Sequence, residues 1–155
     1  MFMTMLCTGA LWLKFFATLV IQGYWRIRAG NRPQEDKKLG LGHKESPFEI
    51  GMELDPSHPH SDKWKRNHQM DERWTRIVAN DLESIPLALI VAWAAVICRA
   101  PAIIHDVLII TYVLSRIGHT YCYAYGIQPG RSISWFAAKL CEGCLLINGL
   151  YGALK

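Results

Sequence analysis

Charge is missing from four stretches of this chain. Residues 1–21 hold a single charged side chain, Lys14; residues 85–98 and 107–115 hold none; residues 132–154 hold only Lys139 and Glu142. A hydrocarbon core of about 30 Å takes about 20 apolar residues to cross at 1.5 Å per residue; the first and last stretches supply that length directly, and the middle two are the uncharged centres of longer apolar segments. The chain also lacks enough amphipathic helix to cover four such runs, which argues against burying them in a soluble core. The first segment has no basic n-region and no clear small-residue cleavage site, and its apolar run exceeds the roughly 7–15 residues of a signal peptide. No internal repeat, low-complexity tract or nucleic-acid-binding motif is present. These absences leave an all-α membrane protein, a bundle of four transmembrane helices with cores near 3–23, 80–98, 102–124 and 132–153. Residues 1–155 are expected to form one membrane domain, with a loop over about 24–72.

Cysteine is as uninformative as charge is informative. All five cysteines, Cys7, Cys98, Cys122, Cys141 and Cys144, fall in or at the edges of the apolar segments. Cys141 and Cys144 have the C-x-x-C spacing, but without a βαβ setting that spacing carries no redox meaning. They read as small, soft packing residues. The histidines of the first loop, His43, His58, His60 and His68, have no cysteine partners and no regular scaffold, so no metal is expected.

Basic residues are concentrated on one side of the first helix. Eleven of the 17 lysines and arginines lie between Gln22 and Arg76, and the positive-inside rule therefore puts the first loop in the cytoplasm. The second turn, around Arg99, then falls on the far side, and the third, around Gly126 to Arg131, returns to the cytoplasmic side. Lys37, Lys38, Lys63, Lys65 and Arg66 are assigned to lipid headgroups rather than to nucleic acid.

Against this background a few polar residues stand out because lipid should reject them. A charge at the bilayer centre costs about 2.5–3.5 kcal/mol on insertion scales, so such residues face a bundle interior or a site. Arg73, Arg76, Asn80 and Glu83 step by three, four and three, and Arg116, His119 and Tyr123 by three and four, so each set shares one helix face. Lys139 and Glu142, three apart, are expected to pair across one turn. Asp81, on a different side from Asn80, is expected to pair with a basic residue of a neighbouring helix. A Glu83–Arg116 ion pair without any ligand is the structural alternative for those two residues.

These residues form a pattern. Glu72-Arg73-Trp74-Thr75-Arg76-Ile77-Val78-Ala79-Asn80-Asp81-Leu82-Glu83 resembles the E-R-x-x-R-A-H-x-N-D-x-E signature of the microsomal glutathione transferases and microsomal prostaglandin E synthase. These are the membrane-associated proteins in eicosanoid and glutathione metabolism. Arg116-Ile117-Gly118-His119-Thr120-Tyr121-Cys122-Tyr123 is similar to their R-x-x-H-T-x-x-Y. Arg131-Ser132 resembles the pair that opens their fourth helix, and Trp25-Arg26-Ile27-Arg28 with Pro33-Gln34-Glu35-Asp36 resembles the segment after the first. Val78 departs from the pattern by replacing a histidine, and the first loop is longer than usual. Ala79 and Trp135 stand where the prostaglandin synthase has arginine and tyrosine, which argues against that isomerase activity.

The resemblance implies a glutathione transferase or peroxidase acting on hydrophobic electrophiles, a homotrimer with glutathione between subunits, and no metal. In a eukaryotic cell it implies the endoplasmic reticulum or the mitochondrial outer membrane, with the site facing the cytosol. The alternatives are a glutathione-dependent eicosanoid synthase of the prostaglandin E or leukotriene C type, or a non-catalytic membrane scaffold with the same fold. Glutathione presents two carboxylates, an ammonium and a thiol. Arg26, Arg76 and Arg116 offer planar forks for carboxylates, Glu83 suits the ammonium, and Asn80 would orient it. Arg73, His119 and Ser132 complete the expected contacts. Arg131 is the candidate for stabilising the thiolate, with Tyr123 adding a hydrogen bond.

The charge asymmetry generates a prediction about orientation. In sealed vesicles with the cytosolic face outward, protease added outside is expected to cut within the loop over about 24–72; full protection of that loop would reverse the assignment.

Overall fold

A computed structural model describes residues 1–31 and 62–155 of the chain. Its described residues form four helices: α1 (Phe2–Ala29), α2 (Asp62–Ile97), α3 (Ala102–Tyr125) and α4 (Gly130–Ala153). Each is long and apolar enough to cross a membrane. Large apolar side chains such as Trp12, Phe16, Ile90, Ile103 and Ile147 are exposed, as expected where lipid replaces water as the surrounding solvent. The protein is an integral, multi-pass membrane protein.

Two helices run beyond their expected ends. α2 starts at Asp62 rather than near residue 80, and α1 continues to Ala29 rather than ending near 23. The apolar runs mark only the lipid-facing parts of these helices. The polar stretch before residue 80 is rich in good helix formers (Lys, Arg, Gln, Met, Glu) and continues the same ladder. His43, His58, His60, Lys37, Lys38 and residues 33–36 lie outside the described residues.

Three helices end in the same way. A residue in the left-handed region follows the last turn, and two backbone N–H groups fold back onto carbonyls that the helix would leave unpaired. At α1 the residue is Gly30, with φ 77°; Gly30 and Asn31 donate to Ile27 and Arg26. At α3 it is Gly126, with Gly126 and Ile127 donating to Tyr123 and Cys122. At α2 it is Arg99, with φ 54°, and Arg99 and Ala100 donate to Val96 and Ala95. A side chain there is strained by about 1–2 kcal/mol relative to glycine.

The described residues group into two compact units. Unit 1 comprises Met1–Phe16 and Ala79–Lys155. Its core is Cys7, Leu11, Ile85, Ala88, Ala92, Ile109, Tyr112, Val113, Ala138, Cys141 and Leu145. Because Leu11 and Cys7 are part of that core, the first segment packs as structure. Ala88, Ala92 and Ala95 recur at i, i+4 and i+7 along α2, and such small residues let helix backbones approach closely in a membrane. Gly149 of α4 meets Ala95 so closely that an added Cβ would lie 3.2 Å from it. One turn on, α4 crosses the Arg99 turn at Gly152, where a Cβ would sit 2.6 Å from the Cys98 carbonyl oxygen. The five cysteines are free thiols.

Unit 2, Ala17–Val78, joins the C-terminal part of α1 to the N-terminal part of α2. Ala29, Trp74, Ile77 and Val78 are buried. Polar bonds do much of the joining: Asn31 Nδ2 donates to Asp71 Oδ2 at 2.7 Å, Asn67 Nδ2 to the Arg28 carbonyl at 3.3 Å, and Gln22 Nε2 to Thr75 Oγ1 at 3.1 Å. His68 lies 3.3 Å from Asn31 and 3.5 Å from Glu72, so the one described histidine of the expected loop belongs to this packing.

The crossing at Gly152 gives a matched pair of variants. Gly152→Ala is expected to destabilise by about 1–3 kcal/mol, as overpacking against backbone does. Gly143→Ala, whose Cβ meets nothing within 4 Å, is expected to be neutral or to gain up to about 1 kcal/mol of helix propensity. Thermal unfolding in detergent reads both, and an unchanged midpoint for Gly152→Ala would contradict the close crossing.

Candidate functional site

α2 has two chemically different faces. Trp74, Ile77, Val78, Asp81, Ser84, Ile85, Ala88, Ala92 and Ala95 are buried, at the three- and four-residue steps that define one helical stripe. Arg76 and Glu83 are exposed and Asn80 is half-buried. Glu83 follows Asp81 by two positions, about 200° around the helix at 3.6 residues per turn, so the two carboxylates point to opposite sides. The motif therefore serves an inward face and an outward face at once.

The inward face centres on Asp81. Its carboxylate takes Arg116 Nη2 on Oδ1 at 2.5 Å and the Lys14 ammonium on Oδ2. Three helices, α1, α2 and α3, thus converge on one carboxylate. Arg116 and Asp81 are fully enclosed, at 0% exposure. One turn further along α2, Ser84 Oγ lies 3.0 Å from the Tyr112 hydroxyl of α3. The expectation that Asp81 pairs with a neighbouring helix is met. The alternative Glu83–Arg116 pair does not form, because Arg116 points to Asp81 while Glu83 points away.

The Arg116 guanidinium is buried and donates to Asp81 through Nη2. Nε and Nη1 have no hydrogen-bond partner among the described residues. Lys14 was not singled out as part of any site, although the signal was available: it is the one charge in the first 21 residues, and a lone cation in lipid needs an anion.

A second cluster occupies the α3–α4 turn. The Arg131 guanidinium lies over the Tyr123 ring, 4.8 Å from its centroid, and the Tyr123 ring meets His119 edge-on at 5.7 Å. Cation–π contacts of this kind hold an arginine in place without consuming its N–H groups. With the Gln128 amide turned so that its oxygen faces Arg131, that oxygen accepts from Nε at 3.0 Å and Nη2 at 2.5 Å. Gln128 also meets Ser132 Oγ at 3.3 Å. No spacing argument pointed to Gln128. His119 is buried and Tyr123 and Arg131 are half-buried, so the cluster runs from the interior towards the end of the helices.

The other expected residues are placed as follows. The Asn80 side-chain oxygen is buried without a hydrogen-bond partner among the described residues, an acceptor set on the margin of the outward face. In unit 2, Arg26 Nη2 reaches Thr75 Oγ1 at 3.4 Å and its Nε lies 3.8 Å from Asp71. Arg76 is exposed and 3.9 Å from Glu72, while Arg73 is half-buried on the same helix. Lys139 and Glu142 pair at 2.9 Å across one turn of α4, as their spacing predicts. Among the described residues no His, Cys, Asp and Glu group could hold a metal ion.

A family model, described as the MAPEG family, matches residues 4–151 of the chain. No curated protein matches it.

The shared carboxylate yields a stability prediction. Asp81→Asn leaves two cations facing each other in a buried site and is expected to destabilise by about 3–5 kcal/mol, as breaking a buried ion pair does. Glu72→Ala, which removes an exposed pair, is expected to change stability by less than about 1 kcal/mol. Denaturation of purified protein in detergent compares them; equal effects would remove Asp81 from its central place.

Proposed function

The chain belongs to the MAPEG family, whose members include glutathione transferases, peroxidases and eicosanoid synthases, and on that premise we propose that it is a membrane-bound glutathione transferase with peroxidase capacity. The observation that carries this reading is the Arg131–Tyr123–His119 cluster at the α3–α4 turn. It offers a fixed cation beside a phenol at the mouth of the helices. Such a pair suits a thiolate: the cation stabilises the negative sulfur, and the phenol O–H donates a hydrogen bond to it.

Glutathione's groups find complementary chemistry along the motif. The unpartnered Asn80 oxygen can accept an N–H of the peptide, and the exposed Glu83 carboxylate suits the ammonium. The sequence motif adds Arg26, Arg73 and Arg76 for the carboxylates, and Ser132 beside Arg131. Arg116 supports this set from within, through Asp81, rather than by touching ligand.

The chemistry then follows. A thiol with pKa about 8.5 is only a few per cent ionised at neutral pH, and each unit of depression is worth about 1.36 kcal/mol. Arg131 would supply one or two units. The thiolate attacks an electrophilic carbon of an apolar substrate arriving from the bilayer; an S–C bond forms, and either a leaving group departs with the displaced electron pair or the neighbouring atom takes a proton. With a lipid hydroperoxide, the thiolate attacks the terminal oxygen and the O–O bond breaks. The sulfenic acid formed is reduced by a second glutathione, giving glutathione disulfide, an alcohol and water.

The outward face also supports a neighbouring subunit, and the family resemblance makes that assembly a homotrimer. An exposed carboxylate within a membrane-spanning helix needs a polar cover, and a neighbouring subunit with glutathione between would give Glu83 one. The cytosolic face of an intracellular membrane fits the charge asymmetry. A non-catalytic scaffold is the second reading, favoured by one observation: Val78 is buried and apolar where the resembled pattern has histidine.

Purified protein, glutathione and a chromogenic electrophile test the proposal. Wild type is expected to conjugate, and Arg131→Ala to lose about 10- to 100-fold in kcat/KM, the equivalent of one or two pKa units. An unchanged rate in Arg131→Ala would overturn the mechanism. Glutathione binding without turnover in wild type would favour the scaffold.

A further inference from the structure

The opposite end of unit 1 carries a groove that glutathione chemistry does not use. It lies where the N-terminus of α3 meets the C-terminus of α4 and encloses about 600 Å³. Ile104 and Leu108 of α3 and Ile147 and Tyr151 of α4 make apolar walls, with Asn148 inside and Lys155 at the mouth. A volume of this size is within the range of sites that hold small molecules.

Two polar features say what would fill it. Asn148 is only 6% exposed, yet its Nδ2 has no hydrogen-bond partner among the described residues. Within a bilayer no water is at hand to satisfy such a donor, so the occupant should bring an acceptor. Lys155 Nζ lies 4.7 Å from the centre of the Tyr151 ring, both residues line the groove, and the Lys155 side chain makes no ion pair among the described residues. An anion at the mouth would complement it. Asn148 and Tyr151 are separated by three residues, about 4.5 Å of helical rise, a distance that a glycerol backbone spans between an acyl ester and a phosphate.

We infer that this groove binds an anionic glycerophospholipid, with an acyl chain along the α3–α4 wall, an ester carbonyl accepting from Asn148 Nδ2, and the phosphate facing Lys155. The site differs in chemistry from the Arg131 cluster: it has one buried amide donor and one cation, and nothing that would activate a thiol.

Native mass spectrometry of the full chain in a nonionic detergent, titrated with phosphatidylglycerol or phosphatidylcholine, tests it. Wild type is expected to retain a single phosphatidylglycerol per chain, about fivefold more tightly than phosphatidylcholine, the effect of one basic residue at a membrane surface. Lys155→Gln should abolish that headgroup preference. Ile147→Trp, which fills the groove from an exposed wall position and leaves the core intact, should weaken both lipids, and Asn148→Leu should do the same. All three are expected to keep wild-type glutathione conjugation if that activity is present. Equal retention of the two lipids by wild type, or unchanged retention in Lys155→Gln and Ile147→Trp, would overturn the proposal. So would an oligomer that dissociates in Ile147→Trp with no change in bound lipid, since that would mean a second copy of the chain fills the groove.

Discussion

A single carboxylate in a medium that rejects charge sets the order of unit 1. Asp81 alone would be expensive in lipid, and so would Lys14 or Arg116. Brought together, each makes the others tolerable, and bringing them together fixes α1, α2 and α3 against one another. Apolar packing cannot specify that arrangement by itself, because lipid chains are as apolar as leucine and give helices little reason to prefer each other. The ion cluster supplies the specificity, and the alanine stripe of α2 with Gly149 and Gly152 of α4 supplies the close approach.

This division explains how one short motif does two things. Asn80, Asp81 and Glu83 are near neighbours in sequence, yet 3.6-residue periodicity sends Asp81 inward and Glu83 outward, with Asn80 at the margin. The inward residue holds the helices. The outward residues are left uncovered by the described residues, and in the proposed function they meet the ligand and a neighbouring subunit. At the α3–α4 turn, Tyr123 and Gln128 hold Arg131 from two sides, so the proposed thiolate partner is positioned before any ligand arrives.

Much of this was legible in the sequence, for identifiable reasons. Four uncharged runs announce four spanning helices, because length and hydropathy alone decide whether a segment crosses a bilayer. The helical steps among Arg116, His119 and Tyr123 placed them on one face, and the lone Asp81 implied a basic partner. Which basic residue Asp81 would take was open in the sequence: Arg116 could pair with Asp81 or Glu83, and the rotational setting of α2, with Ala88, Ala92 and Ala95 on its buried side, decides for Asp81. The full helix lengths were less legible, because hydropathy sees where lipid stops, while the backbone ladder of α2 runs on through polar residues to Asp62. Gln128 was invisible because its contact with Arg131 arises from a turn and not from a repeat.

In the proposed function, the polar residues of this membrane protein bind glutathione and hold it as thiolate. The most direct measurement is the ultraviolet difference spectrum of glutathione added to the purified protein, followed as a function of pH. The account predicts thiolate absorbance that saturates with glutathione and persists at least one pH unit below the titration of free glutathione, near pH 8.5 for an ordinary thiol. No thiolate signal at any pH below that of the free peptide would contradict it.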